Sequence, residues 1–404
     1  MPDLSANSLH LHKLQQASAI LRELNIDAWL IYVRETALNP DPITPLLWDF
    51  AVVWPAAFII TADGQRIATA VVHDVPTIER SGLFTRVVPF EKVAEETLPG
   101  LVAALDPNAI ALNYSEDNVA ADGLSHGLFL RLQSMFASTP YASRLVSAEG
   151  IIGRLRQRKL ADELDLCREA CRLAQDVFDT FSSRLHAGLS ETDLAAIYNA
   201  RMAELGVGPS WEASMCPNIN AGPHTGRGHV GPLPDVIIQQ GDILNVDFGV
   251  RANGYSSDQQ RMWYLLRPGE SAPPPAVQAP FDAVVGAIQA GFDALRPGIP
   301  GKVVDAAARR YLTERGYPEY LHTLGHNVGR YAHDGGIAML CPPWPSYGAQ
   351  AETPLEVGQL LTLELGITTE LGYFGLEEEA LITATGATWF WPPQKELMLV
   401  PANR

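Results

Sequence analysis

The chain has 404 residues, with 46 acidic against 29 basic side chains, a formal charge of -17, 47% apolar residues and 19% charged ones. This composition belongs to a globular protein of two or three domains rather than a disordered one. The acidic balance leaves no basic patch for nucleic acid or anionic lipid. Cys167, Cys171, Cys216 and Cys341 form no CxxC pair, the N-terminus MPDLSANSLHLHKLQQ lacks a cationic start with an apolar core, and no run of 18 apolar residues occurs. The expectation is a cytoplasmic protein with reduced thiols that is neither exported nor membrane-spanning.

In chain order, LHKLQQASAILRELN (11–25) has a helical period. Strand-like runs follow at 28–33 (AWLIYV), 56–61 (AAFIIT), 66–72 (RIATAVV), 86–90 (RVVPF) and 109–114 (AIALNY), which predicts a small α/β unit. Periodicity fades through TPYASRLVSAEG, and one long amphipathic helix is expected from 151 to 185. The domain boundary is placed there, giving domains 1–150 and 151–404. Beyond it, LHAGLSETDLAAIYNARMAELG (185–206) is echoed without gaps 110 residues later by LRPGIPGKVVDAAARRYLTERG (295–316). Each copy is a Gly-led turn, a helix and a closing Gly, and glycine-rich strand sequence follows each, so a duplicated helix-plus-sheet half-domain is predicted. Between the halves, the prolines of RPGESAPPPAVQAP (267–280) predict a surface loop without function.

Two segments put acids inside otherwise apolar strands. In NVDFGVRANGYSSDQQRMW (245–263), Asn253 and Gly254 suit a two-residue type I′ turn, in which both residues take positive φ. That turn pairs Ala252 with Tyr255 and Asp247 with Gln260. Because side chains alternate along a strand, Asp258 falls on the face of Asp247, diagonally across roughly 7 Å or less. Two carboxylates so close repel unless a proton or cation lies between them. In LLTLELGITTELGYFGLEEEALIT (360–383), a turn centred on Leu371–Gly372 places Glu364 opposite Glu379, with Glu377 on the same side and Glu378 on the other. Parity prefers Glu377 to Glu378 and leaves Glu377 and Glu379 unseparated. HTLGHNVGRYAHDGG (322–336) adds His322, His326 and His333 among glycines that let ligands crowd an ion. Two Asp, two Glu and one His make an oxygen-rich set suited to a pair of Mn²⁺, Co²⁺, Fe²⁺ or Zn²⁺ ions, which activate water for hydrolysis.

Taken together and in order, NVDFG, YSSDQQR, LGHNVGRYAHD, LTLELG and LEEEALITATG resemble the motifs of the pita-bread metallopeptidases, the family of methionine aminopeptidase, aminopeptidase P and prolidase, with creatinase as a metal-free relative. The resemblance spans roughly 155 to 404. It implies an α/β (α+β) chain: a C-terminal pita-bread fold with duplicated helix-sheet halves, behind a smaller creatinase-type N-terminal domain. It also implies two divalent ions held by Asp247, Asp258, His326, Glu364 and Glu377, with Glu364 shuttling a proton and His229 and His333 contacting substrate and intermediate. A homodimer is implied as well. The family's usual Tyr after the first Glu is replaced here by Thr368, and the Arg two residues before the second Glu by Gly375. Arg330 is therefore the candidate cation for a substrate carboxylate, with Arg34 and Asp41 of YVRETALNPDP (32–42) as further candidate contacts. The expected activity is Xaa-Pro dipeptidase. Aminopeptidase P activity is the nearest alternative, and a metal-dependent lyase or amide hydrolase of a small metabolite is the next.

Overall fold

The computed structural model describes residues 6–224 and 230–402, in two compact units: Met1–Arg156 with Gly335–Ile337, and Gln157–Asp334 with Ala338–Arg404. In the first unit, helix Ala6–Glu23 precedes strands β1 (Ala28–Val33), β2 (Ala56–Thr61), β3 (Arg66–Val71), β4 (Arg86–Phe90), β5 (Ile110–Leu112) and β6 (Leu145–Ser147). They form one sheet in the order β4-β3-β2-β1-β5-β6. The pairs β1–β2 and β2–β3 are antiparallel, and the remaining pairs are parallel. The central strands read as unbroken apolar runs because both sheet faces are covered. Trp29, Ile31 and Val33 enter one hydrophobic cluster, while Ala28, Leu30 and Tyr32 enter another. Strand β6 has no counterpart in the sequence reading, since three residues beside a turn carry no alternation.

The long helix expected from 151 is two helices, Glu149–Gln157 and Ala161–Arg184. Residues 158–160 are helix-compatible in type, but distant partners claim them. The Lys159 N–H bonds the Gly358 carbonyl at 3.0 Å, the buried Lys159 ammonium pairs with Asp334 at 2.9 Å, and Arg158 pairs with Glu356 at 2.7 Å. The Glu163 carboxylate then accepts the Leu160 N–H at 2.8 Å and starts the second helix.

The second unit contains β7 (Gly208–Pro209), β8 (Asn218–Ala221), β9 (Ile243–Phe248), β10 (Val250–Ala252), β11 (Tyr255–Ser256), β12 (Gln259–Leu265), β13 (Leu360–Thr369), β14 (Gly372–Thr383), β15 (Gly386–Trp389) and β16 (Met398–Val400). The main sheet runs β13-β14-β12-β9-β8, with β15 on β14 and β16 on β12. The sequence echo is physical. Helices Glu191–Leu205 and Gly301–Thr313 are preceded by Gly188 (φ 97°) and Gly298 (φ 86°) and followed by Gly206 (φ 67°) and Gly316 (φ 82°). These are left-handed positions that favour glycine. Each half has its own core: helices Ala161–Arg184 and Glu191–Leu205 pack with β9, and helices Pro275–Ala294 and Gly301–Thr313 pack with β13 and β14. The expected 267–280 loop is shorter than predicted, because helix Pro275–Ala294 starts on a proline and carries Pro280 inside it. At the first helical position the missing N–H costs nothing, as that donor has no intrahelical partner.

Candidate metal centre

Both hairpins deliver their acids to one row of the sheet. In the first, Asn253 (φ 52°) and Gly254 (φ 78°) form the turn, Ala252 faces Tyr255 and Asp247 faces Gln260, as the sequence predicts. The second differs from expectation. Thr369 faces Gly372, so the turn is Glu370–Leu371, and Glu364 lies directly opposite Glu377 instead of Glu379. The shift is two residues, which preserves every side chain's face. With Gln260 facing Glu377 across β12 and β14, the sheet carries Glu364, Glu377, Gln260 and Asp247 as successive cross-strand neighbours. Asp258 precedes Gln260 by two residues on the same face. His326 arrives from a segment beside β13, its carbonyl accepting the Thr362 N–H at 2.9 Å.

Asp247, Asp258 and Glu377 bring ligand atoms within 4.8 Å of one another, as do His326, Glu364 and Glu377, and Asp258, His326 and His333. The His326 Nε2 stands 3.5 Å from Glu364, 3.7 Å from Glu377 and 3.8 Å from Asp258, so three carboxylates converge on one ring nitrogen. Its Nδ1 lies 3.5 Å from the Asn327 carbonyl, and Nδ1–H donation there leaves the Nε2 lone pair facing the acids. Asp258 is 4% exposed and Glu377 1%. Asp247 Oδ1 and Glu377 Oε1 are buried without a hydrogen-bond partner, a condition that costs roughly 1–3 kcal/mol or more per group. The donor set is oxygen-rich with imidazole added, and two of its buried oxygens lack a protein partner. It fits a pair of divalent cations.

Electrostatics agree. Burial lifts Asp247 to about 7 and, with the Asp247 charge, Glu364 to about 8. Burial followed by the neighbouring acids pushes Asp258 and Glu377 well above the carboxylate range. Burial and then His333 lower His326 to about 3, so it is the neutral imidazole that ligation needs. Crowded acids hold protons unless a cation replaces them.

The other predicted positions separate. His333 is exposed and meets the His326 ring edge-on, with centroids 4.3 Å apart. His229 lies outside the described residues. Arg330 is directed at the Asn253–Gly254 turn, its guanidinium 5.3 Å from the Tyr255 ring centroid. Arg34 is exposed in the first unit. Asp41 is not displayed to a substrate: it is 1% exposed, with Oδ1 accepting the Ile43 N–H at 3.0 Å and Oδ2 an Asn113 amide at 2.8 Å.

Three further residues complete the site: the sequence places Gln260 only as the partner of Asp247 and Glu379 only as the alternative to Glu377, and it gives Tyr373 no role. Gln260 bridges the row, its amide 3.3 Å from Glu377 Oε2, and Glu379 accepts the Asp258 N–H at 2.8 Å. Tyr373 faces Thr368 across the hairpin, and its phenol is raised by burial, then Glu364, Asp247 and Glu377. The available signal was the turn: placed at Glu370–Leu371, it puts Tyr373 opposite the position where the resemblance expects a tyrosine.

Duplicated helix-sheet halves around an acid-rich centre with imidazole define a dinuclear metallohydrolase. Residues 165–385 match metallopeptidase family M24, and the chain belongs to that family. It is 27% identical over 283 residues to the Xaa-Pro dipeptidase of Pyrococcus furiosus, covering 70% of this chain and 76% of that protein. It is 32% identical over 263 residues to the probable dipeptidase PepE of Mycobacterium tuberculosis, covering 64% of each. Among solved structures, dipeptidase PepE from Mycobacterium ulcerans shares the fold with a TM-score of 0.72 at 24% identity, covering 98% of this chain and 99% of that one. The X-Pro aminopeptidase of Thermotoga maritima does so with 0.70 at 20%, covering 96% and 99%.

Proposed function

We propose that this protein is a dinuclear metal-dependent exopeptidase of short proline-containing peptides, acting as an Xaa-Pro dipeptidase. The carrying observation is the convergence of Asp247, Asp258, His326, Glu364 and Glu377 on one sheet face with orphaned buried carboxylate oxygens. These five side chains would hold the ions, and Mn²⁺, Co²⁺ and Zn²⁺ suit the donor set. When bound, the cations supply an acidified water and Lewis-acid polarisation of the scissile carbonyl. Glu364, partly open to solvent, takes the water's proton and returns it to the leaving nitrogen. His333, beside His326 at the exposed edge, steadies the carbonyl oxygen. His229 is assigned the same task on sequence alone, and Arg330 the substrate carboxylate.

Residues 1–150 are assigned as a creatinase-like N-terminal domain and 151–404 as the catalytic domain. The four cysteines are free and buried, which suits a reducing, cytoplasmic compartment. Among the described residues no helix is long and apolar enough to cross a membrane. A homodimer is proposed on the family resemblance.

The test is a panel of Xaa-Pro dipeptides, Xaa-Pro-Yaa tripeptides and non-proline dipeptides, each assayed with Mn²⁺, Co²⁺ and Zn²⁺. Turnover confined to Xaa-Pro dipeptides is expected. Preference for tripeptides reassigns the protein to aminopeptidase P chemistry, and no turnover of any Xaa-Pro peptide removes the peptidase reading.

A further inference from the structure

The row of acids continues into a slot. Immediately beyond the facing pair Glu364 and Glu377, the next residues on the same sheet face are Gly366 on β13 and Gly375 on β14, themselves cross-strand partners. A Cβ built on either glycine would collide with the Tyr373 ring. Tyr373, Gly375 and Glu377 alternate along one strand and therefore share one face. The ring consequently lies along the hairpin over two missing side chains, pointing from Tyr373 towards the acids. The hydroxyl ends over Gly366, whose missing side chain it replaces, next to the facing pair Glu364 and Glu377. Burial first, and then the charges of Glu364, Asp247 and Glu377, hold the phenol protonated. Yet among the described residues no hydrogen bond engages it, although the ring is half-buried. A half-buried hydroxyl with no protein partner is open to a molecule that comes to the acids beside it.

We propose that Tyr373 is a substrate-contacting residue of this centre, its phenol donating a hydrogen bond to the scissile carbonyl oxygen as that oxygen gains negative charge. The donor is neutral, is locked by the glycine slot and needs no reorganisation during the reaction, which is the condition under which such a contact favours the transition state over the ground state. The slot also specifies what cannot stand there. Any side chain at Gly375 or Gly366 would displace the ring, so this edge of the pocket presents a phenol and not a cation.

The inference rests on the peptidase reading, and the test separates the two. Parent enzyme and Tyr373→Phe, which keeps the ring in its slot, are compared with Mn²⁺ on an Xaa-Pro dipeptide, with bound metal counted by elemental analysis and folding followed by thermal denaturation. Binding of a 3-amino-2-hydroxyacyl-proline, whose hydroxyl-bearing carbon stands where the scissile carbonyl would, and of free proline is measured by calorimetry. The expected result is unchanged metal content and melting, kcat lower by about 10²-fold and KM within about threefold. The hydroxyacyl-proline is expected to bind about 10-fold more weakly or worse, with free proline unaffected. Equal weakening of both ligands places the phenol on the proline carboxylate and overturns the assignment. Retained kcat and retained hydroxyacyl-proline affinity in a metal-loaded variant overturn the inference alone. A parent enzyme that cleaves no Xaa-Pro peptide overturns the peptidase reading and this inference with it.

Discussion

Glu379 stands two residues past Glu377 on the same face of β14, yet its carboxylate serves the protein. One oxygen accepts the Asp258 N–H at 2.8 Å and the other the Cys171 thiol at 3.3 Å. It therefore fixes the backbone from which the Asp258 carboxylate projects. Glu379→Ala leaves a buried N–H unpaired, so stability in urea unfolding is expected to fall by about 1–3 kcal/mol, and metal affinity, measured by chelator competition, by about 10–100-fold. Cys171→Ala removes only a weak donor and should leave that affinity unchanged; an equal loss would mean that packing, not the Glu379 bond, holds Asp258. Glu364→Gln keeps the shape of the proposed shuttle without its basicity, and kcat is expected to drop about 10²–10⁴-fold, with metal content measured alongside. At this scale the five acid and imidazole positions were legible because ordered motifs carry them. Tyr373 was not, because a lone Tyr in a strand has no signature until its cross-strand neighbours are known, and those of Gln260 on β14 depended on the same second turn.

The two hairpins show why register was readable in one and not in the other. Asn253–Gly254 is a turn that few other dipeptides can make, so its pairing follows from sequence. Glu370–Leu371 has no such chemistry. The neighbouring Gly372 mimics a turn residue, but its φ of 121° belongs to the first residue after the turn instead of its second centre. The helix break at 158–160 was invisible for a related reason: its causes, Asp334, Glu356 and Gly358, lie some 175 to 200 residues away. The first turn is correspondingly vulnerable. Gly254→Val forces a β-branched residue into the left-handed region at a cost of about 1–2 kcal/mol. It also loosens the pairing that keeps Asp247 and Asp258 on one face, where a slip of one residue would send Asp258 to the other. The expected outcome is a lower unfolding midpoint together with weaker metal binding. An unchanged metal affinity at the lower midpoint would show that the sheet, and not the turn, sets the spacing of the two acids.

For the whole molecule, composition announced an acidic globular chain and the 110-residue echo announced duplicated halves, but neither reveals how much charge the fold buries. Asp247 at about 7 and Glu364 at about 8, both raised chiefly by burial, compare with unfolded values of roughly 4. Between these limits the metal-free folded chain binds more protons than the unfolded one. The slope of stability with pH is therefore negative, and stability falls as pH rises through 7 and 8. Glu378 and Glu379, raised by burial to about 7, act in the same direction. His326, lowered to about 3, opposes them, because the unfolded chain takes up its proton first, but only below the unfolded histidine value of roughly 6.5. The window in which the acids act unopposed is thus about pH 6.5 to 8. Chelator-treated protein should melt at progressively lower temperature as pH rises across that window. Added Mn²⁺ should raise the midpoint most at the alkaline end, since a cation stabilises the deprotonated acids that folding alone disfavours. A midpoint that is flat with pH in the chelated protein, or a metal effect that is larger at pH 6.5 than at 8, would show that these carboxylates do not share a buried, proton-holding centre.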